Sequence, residues 1–479
     1  MRTQQWVSVL PDHVKINYFS WPGTHDSGAT HYDAIGAKCQ DWSIMEQLEK
    51  GIRFLDIRLK HNHSVLNVYH GITNQDLSFQ AVINDCIDFL NKNPRETILM
   101  SVNDEGEGIL NFSTFHQCVK RYIESSPEYW YTGSRIPKLG EVRKKIVLFR
   151  RYGFADAEKV FSSGDDITEY GISWKKSCVV QDEYNLTKLD QHMFIRSSYS
   201  LDENKKWDKM TELFDKSEAY FDNLNREIEY GHSWWIENDT IENSTIFVNF
   251  ASGYWNEINT TSAIPRVKDV SNFTGPKVKN FMRERVQNGR TNFACIIPMD
   301  FPQEKTIDAI IFQTYHRHGL LKRCRIYSLY RNEYLYASGA DSEVSKKQRG
   351  VFTFVGGSHD DDMIWWLIGS AERGLFWIFH QKQHEYAFGS EATYDANRNY
   401  VYTWEPGTDR DNAGWYIDSN RACTIDDPVS LQNCRIKNYD LKRYIYPAAF
   451  TKTGSRRYVF QWKPDEFTVE GKWRFEFLD

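Results

Sequence analysis

Two histidines, three carboxylates and one arginine stand at the ends of short apolar runs within the first 300 residues. Pro22-Gly-Thr-His-Asp-Ser-Gly28 follows the run Ile16–Trp21 and supplies His25 and Asp26. Phe54-Leu-Asp-Ile-Arg-Leu59 carries Asp56 and Arg58 two residues apart, which strand alternation puts on one face. Tyr69-His70-Gly71 ends a third run, and Met299-Asp300-Phe301 ends the last. If these runs are strands of a parallel barrel, their carboxyl ends share one mouth, and the six side chains meet there. A lone His-Asp pair is more often a satisfied structural pair; it is the repeated strand-end placement that argues for chemistry. An imidazole paired to a carboxylate is held in one tautomer, and its protonated form is favoured. A guanidinium offers a rigid fork to phosphate oxygens. Together they suit general acid–base attack on a phosphate diester.

The elements that must position these groups can be read from the same pattern. Strand-like runs recur at Ile16–Trp21, Phe54–Leu59, Val65–Tyr69, Thr97–Ser101, Ile146–Phe149, Cys178–Gln181, Thr245–Asn249 and Ala294–Pro298. Helical patterns such as Phe79–Asn91 and Asn204–Tyr230 lie between several of them. This predicts an α/β unit over 1–320, an irregular TIM-type (β/α)8 barrel, irregular because the second and third runs are too close for a helix. After Arg325 strands follow one another without helices in three similar units, with tryptophans aligned at 366, 415 and 473. That pattern predicts an all-β, β-trefoil-like domain over 321–479.

Gly23-Thr-His-Asp-Ser27, Phe54-Leu-Asp-Ile-Arg58, Tyr69-His-Gly71 and Phe89-Leu-Asn-Lys-Asn-Pro-Arg-Glu-Thr-Ile-Leu-Met-Ser101 together resemble the X-type catalytic domain of phosphatidylinositol-specific phospholipases C, in its bacterial-type branch. The resemblance runs from about Ile16 to Asp300 and leaves the C-terminal region outside. It implies His25 as general base on the inositol 2-hydroxyl, oriented by Asp300, and His70 as general acid partnered by Asp26. Arg58 would hold the phosphate, and the products would be diacylglycerol and a cyclic inositol phosphate. Asp56, Glu105, Arg151, Trp174, Asp182 and Tyr184 fall where the family contacts the inositol. Asn103 and Lys176 depart from the family pattern and bear on headgroup choice, including cleavage of glycosylphosphatidylinositol anchors. Calcium-dependent relatives carry acidic ligands where Arg58 stands, so the resemblance implies a metal-free site with no cofactor.

Trp42 and Trp255 are candidates for membrane contact near the mouth, with phosphatidylinositol or a related phospholipid at a membrane surface as the partner. The remaining bounds come from composition. Lys plus Arg number 59 against 65 for Asp plus Glu, a net charge of −6, which argues against nucleic-acid binding through overall charge. Aromatic residues reach 15%, which fits either a glycan-binding surface or aromatic core layers in the trefoil. The eight cysteines include no C-x-x-C pair, so a zinc site is not expected, while Cys423 and Cys434 are close enough in sequence to bridge. The first ten residues lack the apolar core of a signal peptide. Cytoplasmic placement with peripheral membrane contact is expected, or secretion if the chain is a processed form. The alternative to an enzyme is a catalytically inactive barrel whose trefoil binds glycan or protein. The intact set His25, Asp26, Arg58, His70 and Asp300 favours the enzyme.

Overall fold

The computed structural model describes residues 3–31, 37–62, 65–107, 113–152, 170–181, 203–229, 245–253, 267–341, 348–355, 361–370, 375–383, 385–404, 413–419, 431–462 and 469–478. Asp182, Tyr184, Trp255 and Cys423 lie outside these residues. The chain forms two compact units, one of Pro11–Thr314 and one of Met1–Leu10 with Tyr315–Asp479.

Among its described residues the first unit has eleven strands: β1 (Trp21–Thr24), β2 (Phe54–Asn62), β3 (Val65–His70), β4 (Thr73–Ser78), β5 (Ile98–Glu107), β6 (Trp130–Tyr131), β7 (Ile146–Arg150), β8 (Ile172–Ser173), β9 (Cys178–Gln181), β10 (Ile246–Asn249) and β11 (Ile296–Met299). Its helices are α1 (Ile44–Glu49), α2 (Phe79–Lys92), α3 (Phe115–Glu124), α4 (Trp174–Ser177), α5 (Glu203–Glu229) and α6 (Val267–Gln287), with α7 (Glu304–Arg317) following β11. The strands run in the order β9-β10-β11-β1-β2-β5-β7, all parallel, and β6 and β8 both pair with β7. The result is a curled parallel half-barrel. Its central strands are buried on both faces, as the unbroken apolar run of Ile146–Phe149 requires. Gly23 lets β1 approach β2: a Cβ there would come within 2.9 Å of the Phe54 ring and 3.2 Å of its carbonyl oxygen.

Two predicted strands differ. The segment Ile16–Trp21 is not one strand: Ile16–Tyr18 is a 3-10 turn, and β1 begins at Trp21. The Trp21 indole N–H donates to the Ile16 carbonyl at 2.7 Å and folds the segment back on itself. The Val65–Tyr69 run is a strand, but it pairs antiparallel with β2 as a hairpin, because so short a connection cannot carry a parallel crossover.

From Leu321 the described residues of the second unit form an all-β domain of twelve strands, β12 (Leu321–Ser328), β13 (Glu333–Asp341), β14 (Gln348–Phe354), β15 (Trp365–Ser370), β16 (Leu375–His380), β17 (Glu385–Thr393), β18 (Arg398–Trp404), β19 (Gly414–Asp418), β20 (Arg435–Asn438), β21 (Ile445–Thr453), β22 (Arg456–Trp462) and β23 (Trp473–Phe477). Antiparallel pairing runs β12-β15-β16-β19-β20 and returns through the Cys434↔Trp473 bridge and β23 to β12. Hairpins β13–β14, β17–β18 and β21–β22 meet through mutual pairing of β14, β18 and β22. Three buried tryptophans mark equivalent places. The indole N–H of Trp365 donates to Leu335 O at 2.9 Å, that of Trp415 to Ala387 O at 3.0 Å, and that of Trp473 to Ile445 O at 3.1 Å. The aligned tryptophan of the first of the three repeats is therefore Trp365 and not Trp366, its neighbour on the opposite face of β15.

Candidate active site

Strand register brings the site together. Thr24, the last residue of β1, lies level with Met299 of β11 and Leu55 of β2. His25, Asp26 and Asp300 therefore emerge where the two shorter strands stop, while β2 carries Asp56 and Arg58 beyond them. Arg151 follows the end of β7, Glu105 lies near the end of β5, and the β2–β3 hairpin folds back to bring in His70. Asp26 takes a left-handed backbone conformation, φ 44°, which turns the chain sharply off β1. The Ser27 hydroxyl accepts from the Asp56 amide at 2.7 Å and shares a hydrogen bond with the Thr24 hydroxyl, locking the turn to β2.

His25 is held at both ring nitrogens. Nδ1 lies 2.8 Å from Asp300 Oδ1, and Nε2 lies 2.6 Å from Nη2 of Arg58. A guanidinium only donates, so Nε2 is the acceptor and the imidazole proton sits on Nδ1, donated to Asp300. The second oxygen of Asp300 accepts from the Gly253 amide at 3.2 Å. Phe250 meets the imidazole edge-on at 5.9 Å between ring centroids. Burial pushes the Asp300 carboxyl up to about 7, against the opposing pull of the Gly253 amide, His70 and Arg58.

Arg58 lies among acids: its Nε is 3.2 Å from Asp26 and 3.3 Å from Asp56, and its Nη1 is 3.7 Å from Glu105. Burial opposes its charge, but Asp26, Asp56 and Glu105 outweigh that and raise its pKa further. Asp56 is clasped from its other side by Arg151 at 3.1 Å. Burial pulls Asp56 up, yet Arg58 and Arg151 prevail and leave it at about 2. It is a fixed anion that anchors two guanidinium groups and not a proton carrier. Asp26 is different: burial pushes it up despite Arg58, His70 and His25.

The Ala37 carbonyl accepts a hydrogen bond from the His70 Nδ1–H at 2.9 Å. Nε2 is left facing Asp26 Oδ2 at 3.5 Å. The second imidazole thus presents its transferable nitrogen beside a carboxylate that holds the proton more tightly than usual. Arg151 also stacks its guanidinium over Trp174, 4.9 Å from the ring centroid, and over Phe250 at 5.6 Å. Glu105 accepts from the Asn103 amide at 3.1 Å.

The structure therefore gathers His25, Asp26, Asp56, Arg58, His70, Glu105, Arg151, Trp174 and Asp300 into one cluster. Trp42 is apart from it, half-buried beside α1, with Lys50 Nζ 4.9 Å from its ring centroid. Several positioning groups carried no signal in the sequence. Gln40 donates to the carbonyls of His25 and Met299 at 2.6 and 3.0 Å, and Gln47 donates to that of Ser27 at 2.8 Å. A glutamine has no motif of its own, and Ala37 and Gly253 act through backbone atoms. Among the described residues, His25, Asp26 and Cys39 bring ligand-type atoms within 4.8 Å of one another. The Arg58 guanidinium already lies against two of these three residues, and its charge opposes a cation there.

Two histidines beside carboxylates, with an arginine among them, thus stand at the carboxyl end of a parallel α/β sheet. The family model for "Phosphatidylinositol-specific phospholipase C, X domain" matches residues 21–152. The chain is 33% identical to the 1-phosphatidylinositol phosphodiesterase of Listeria monocytogenes over 220 residues, 40% of this chain and 67% of the relative. It is 29% identical to the 1-phosphatidylinositol phosphodiesterase of Staphylococcus aureus strain Newman over 226 residues, 45% of this chain and 70% of the relative. The solved phosphatidylinositol-specific phospholipase C of Listeria monocytogenes superposes with a TM-score of 0.48 at 26% identity, covering 65% of this chain and 99% of that one. The chain belongs to the phosphatidylinositol-specific phospholipase C family of phosphodiesterases.

Proposed function

We propose that the chain cleaves phosphatidylinositol to diacylglycerol and a cyclic inositol phosphate by metal-free acid–base catalysis. The observation that carries this reading is the tautomer of His25. With its proton committed to Asp300, Nε2 offers a lone pair at the mouth, where it accepts from Arg58. A substrate 2-hydroxyl takes the place of Arg58 at Nε2 and gives up its proton there as the oxygen attacks phosphorus. The freed guanidinium swings to the phosphate and offsets the charge that builds on its oxygens. The P–O bond to diacylglycerol breaks, and the departing oxygen receives a proton from Nε2 of His70, which faces Asp26. Asp56 holds Arg151 in place and tethers Arg58 beside the phosphate.

Arg151, Glu105 and Trp174 hold the inositol ring, with Asp182 and Tyr184 joining them as the family resemblance implies, while Trp42 and Trp255 meet the bilayer. This reading completes the half-barrel to an irregular TIM-type barrel and makes the all-β unit a β-trefoil. The closed pairing path, the three mutually paired hairpins and the three equivalent tryptophans support the trefoil. Replacing His25 or His70 with alanine is expected to lower phosphatidylinositol turnover by about 10³-fold or more, general acid–base steps being worth roughly 10²–10⁴. Either purified variant keeping over about a tenth of wild-type turnover removes the assignment.

A further inference from the structure

The last rung of the sheet between β1 and β11 is made by His25 itself, whose backbone amide donates to the Met299 carbonyl at 3.0 Å. In a parallel pair the next rung would run from the Phe301 amide to the His25 carbonyl. Phe301 donates instead to the Cys39 carbonyl at 3.0 Å. The side-chain amide of Gln40 reaches the His25 carbonyl at 2.6 Å and the Met299 carbonyl at 3.0 Å. Both contacts are acceptors, so the NH2 group of Gln40, and not its oxygen, faces them. Gln40 is fully buried. Cys39 and Gln40 thus stand where the two strands part, and they supply the rung that the backbone omits.

The two carbonyls that Gln40 bridges belong to the peptide groups His25–Asp26 and Met299–Asp300. The first peptide carries the imidazole and the carboxylate that faces His70; the second leads into the carboxylate that accepts from His25 Nδ1 at 2.8 Å. Just beyond them the chain leaves both strands through left-handed residues, Asp26 at φ 44° and Phe301 at φ 40°. Neither is glycine, so each conformation is unfavourable by itself and persists only where the surrounding bonds over-determine it. The amides of Cys39 and Gln40 both donate to the Ala29 carbonyl, at 2.9 and 3.0 Å, and the Ala29 amide donates to the Asp26 carbonyl at 2.8 Å. Two residues before Cys39, the Ala37 carbonyl accepts from His70. Residues 37–40 therefore touch the base, the peptide of its carboxylate partner and the acid.

We propose that Gln40 is a positioning residue of the reaction, its amide fixing the separation of β1 and β11 at which His25 Nδ1 meets Asp300. This role rests on His25 acting as base and Asp300 as its partner. A bridge between two backbone carbonyls touches neither substrate nor leaving group. Its loss should therefore lower kcat and leave substrate binding nearly intact.

The test is a double-substitution cycle in the full chain, read by turnover of a water-soluble inositol phosphodiester. Gln40→Met keeps the bulk of the side chain and removes its donor. It is expected to lower kcat about 10–10²-fold while KM changes less than about threefold, a misplacement of about 1 Å being worth up to about 10²-fold. Gln313 is the control: it is equally buried, and its amide bridges the Thr291 and Phe293 carbonyls at 2.8 and 2.9 Å, ahead of β11 and at the end away from Asp300. Gln313→Met should lose a similar amount of thermal stability and keep kcat. In an Asp300→Asn background Gln40→Met should cost less than about threefold, because the pairing that it sets is already gone. If Gln40→Met does not fold, Gln40→Asn, one methylene shorter and unable to span both carbonyls, enters the same cycle. A purely structural role predicts the same loss in both backgrounds, and that result overturns the proposal. So does an unchanged kcat in the folded Gln40 variant, or an equal fall in Gln313→Met. Unchanged turnover in Asp300→Asn alone overturns the base reading itself, and this role with it.

Discussion

In the proposed mechanism Asp300 sets when the site can work, because its carboxylate must be ionised to keep the His25 proton on Nδ1. Its ordinary value is 3.8 and burial raises it to about 7, so the folded protein holds a proton there that the unfolded chain has released. Stability from this residue is therefore greatest below about pH 4 and is lost as pH rises towards 7. Activity should run the other way, with turnover climbing through an apparent pKa near 7 that belongs to the His25–Asp300 pair. Asp300→Asn cannot titrate, and its amide can donate to Nδ1 and force the imidazole proton onto Nε2. Turnover is expected to fall about 10²–10⁴-fold while the melting temperature gains on wild type between pH 4 and 8. A variant no more stable than wild type at pH 8 would contradict the burial cost. The expectation on metal dependence rests at the same scale on Arg58, whose charge opposes a cation beside His25 and Asp26. Wild-type turnover should persist in excess EDTA and gain little from Ca²⁺; a large, calcium-reversible loss would reveal a metal site. These residues were legible in the sequence because each follows or lies within an apolar run. Gln40 and the Ala37 carbonyl were not, because their roles come only from three-dimensional proximity.

At the scale of elements, the strand runs were legible wherever a short apolar run was bounded by turns. The hairpin identity of β3 was foreshadowed only by the short gap after β2, and the two-residue strands β6 and β8 are too short to leave a pattern. In the second unit the doublet Trp365–Trp366 could not be resolved from sequence, since neighbouring residues of a strand face opposite ways and both are large and apolar. The indole bond resolves it. The repeat extends to polar groups. Glu333 accepts from Thr353 and Arg457, and Glu385 from Thr403 and Arg349, whereas in the third repeat Arg443 donates to Asn399. Phenylalanine at Trp365, Trp415 or Trp473 removes one indole donor and leaves a buried carbonyl unmet. Each change should cost about 1–3 kcal/mol in urea unfolding, and the three costs should be alike. Widely different values would show that the repeat is geometric without being energetic.

At the scale of the whole molecule, the chemistry and the repeat belong to different units. Every group gathered around His25 lies between Pro11 and Thr314. The sequence suggested a boundary after residue 320, and nothing in its composition marked the first ten residues as part of the C-terminal unit. Yet Trp6 and Val7 are fully buried, and the Trp6 carbonyl accepts from the Tyr315 hydroxyl at 3.0 Å. A fragment 1–320 keeps this leading segment while losing most of the unit it belongs to, so burial of its tryptophan and valine is expected to weaken. A fragment 11–320 removes them and keeps α7 whole, including the Thr314 hydroxyl that donates to the Ser20 carbonyl at 2.9 Å just before β1. Fragment 11–320 should therefore be the more soluble of the two. It should turn over a water-soluble inositol phosphodiester within a few-fold of the full chain. If 11–320 is folded by circular dichroism yet inactive, the second unit contributes to the chemistry, and the division of labour drawn from the site geometry fails.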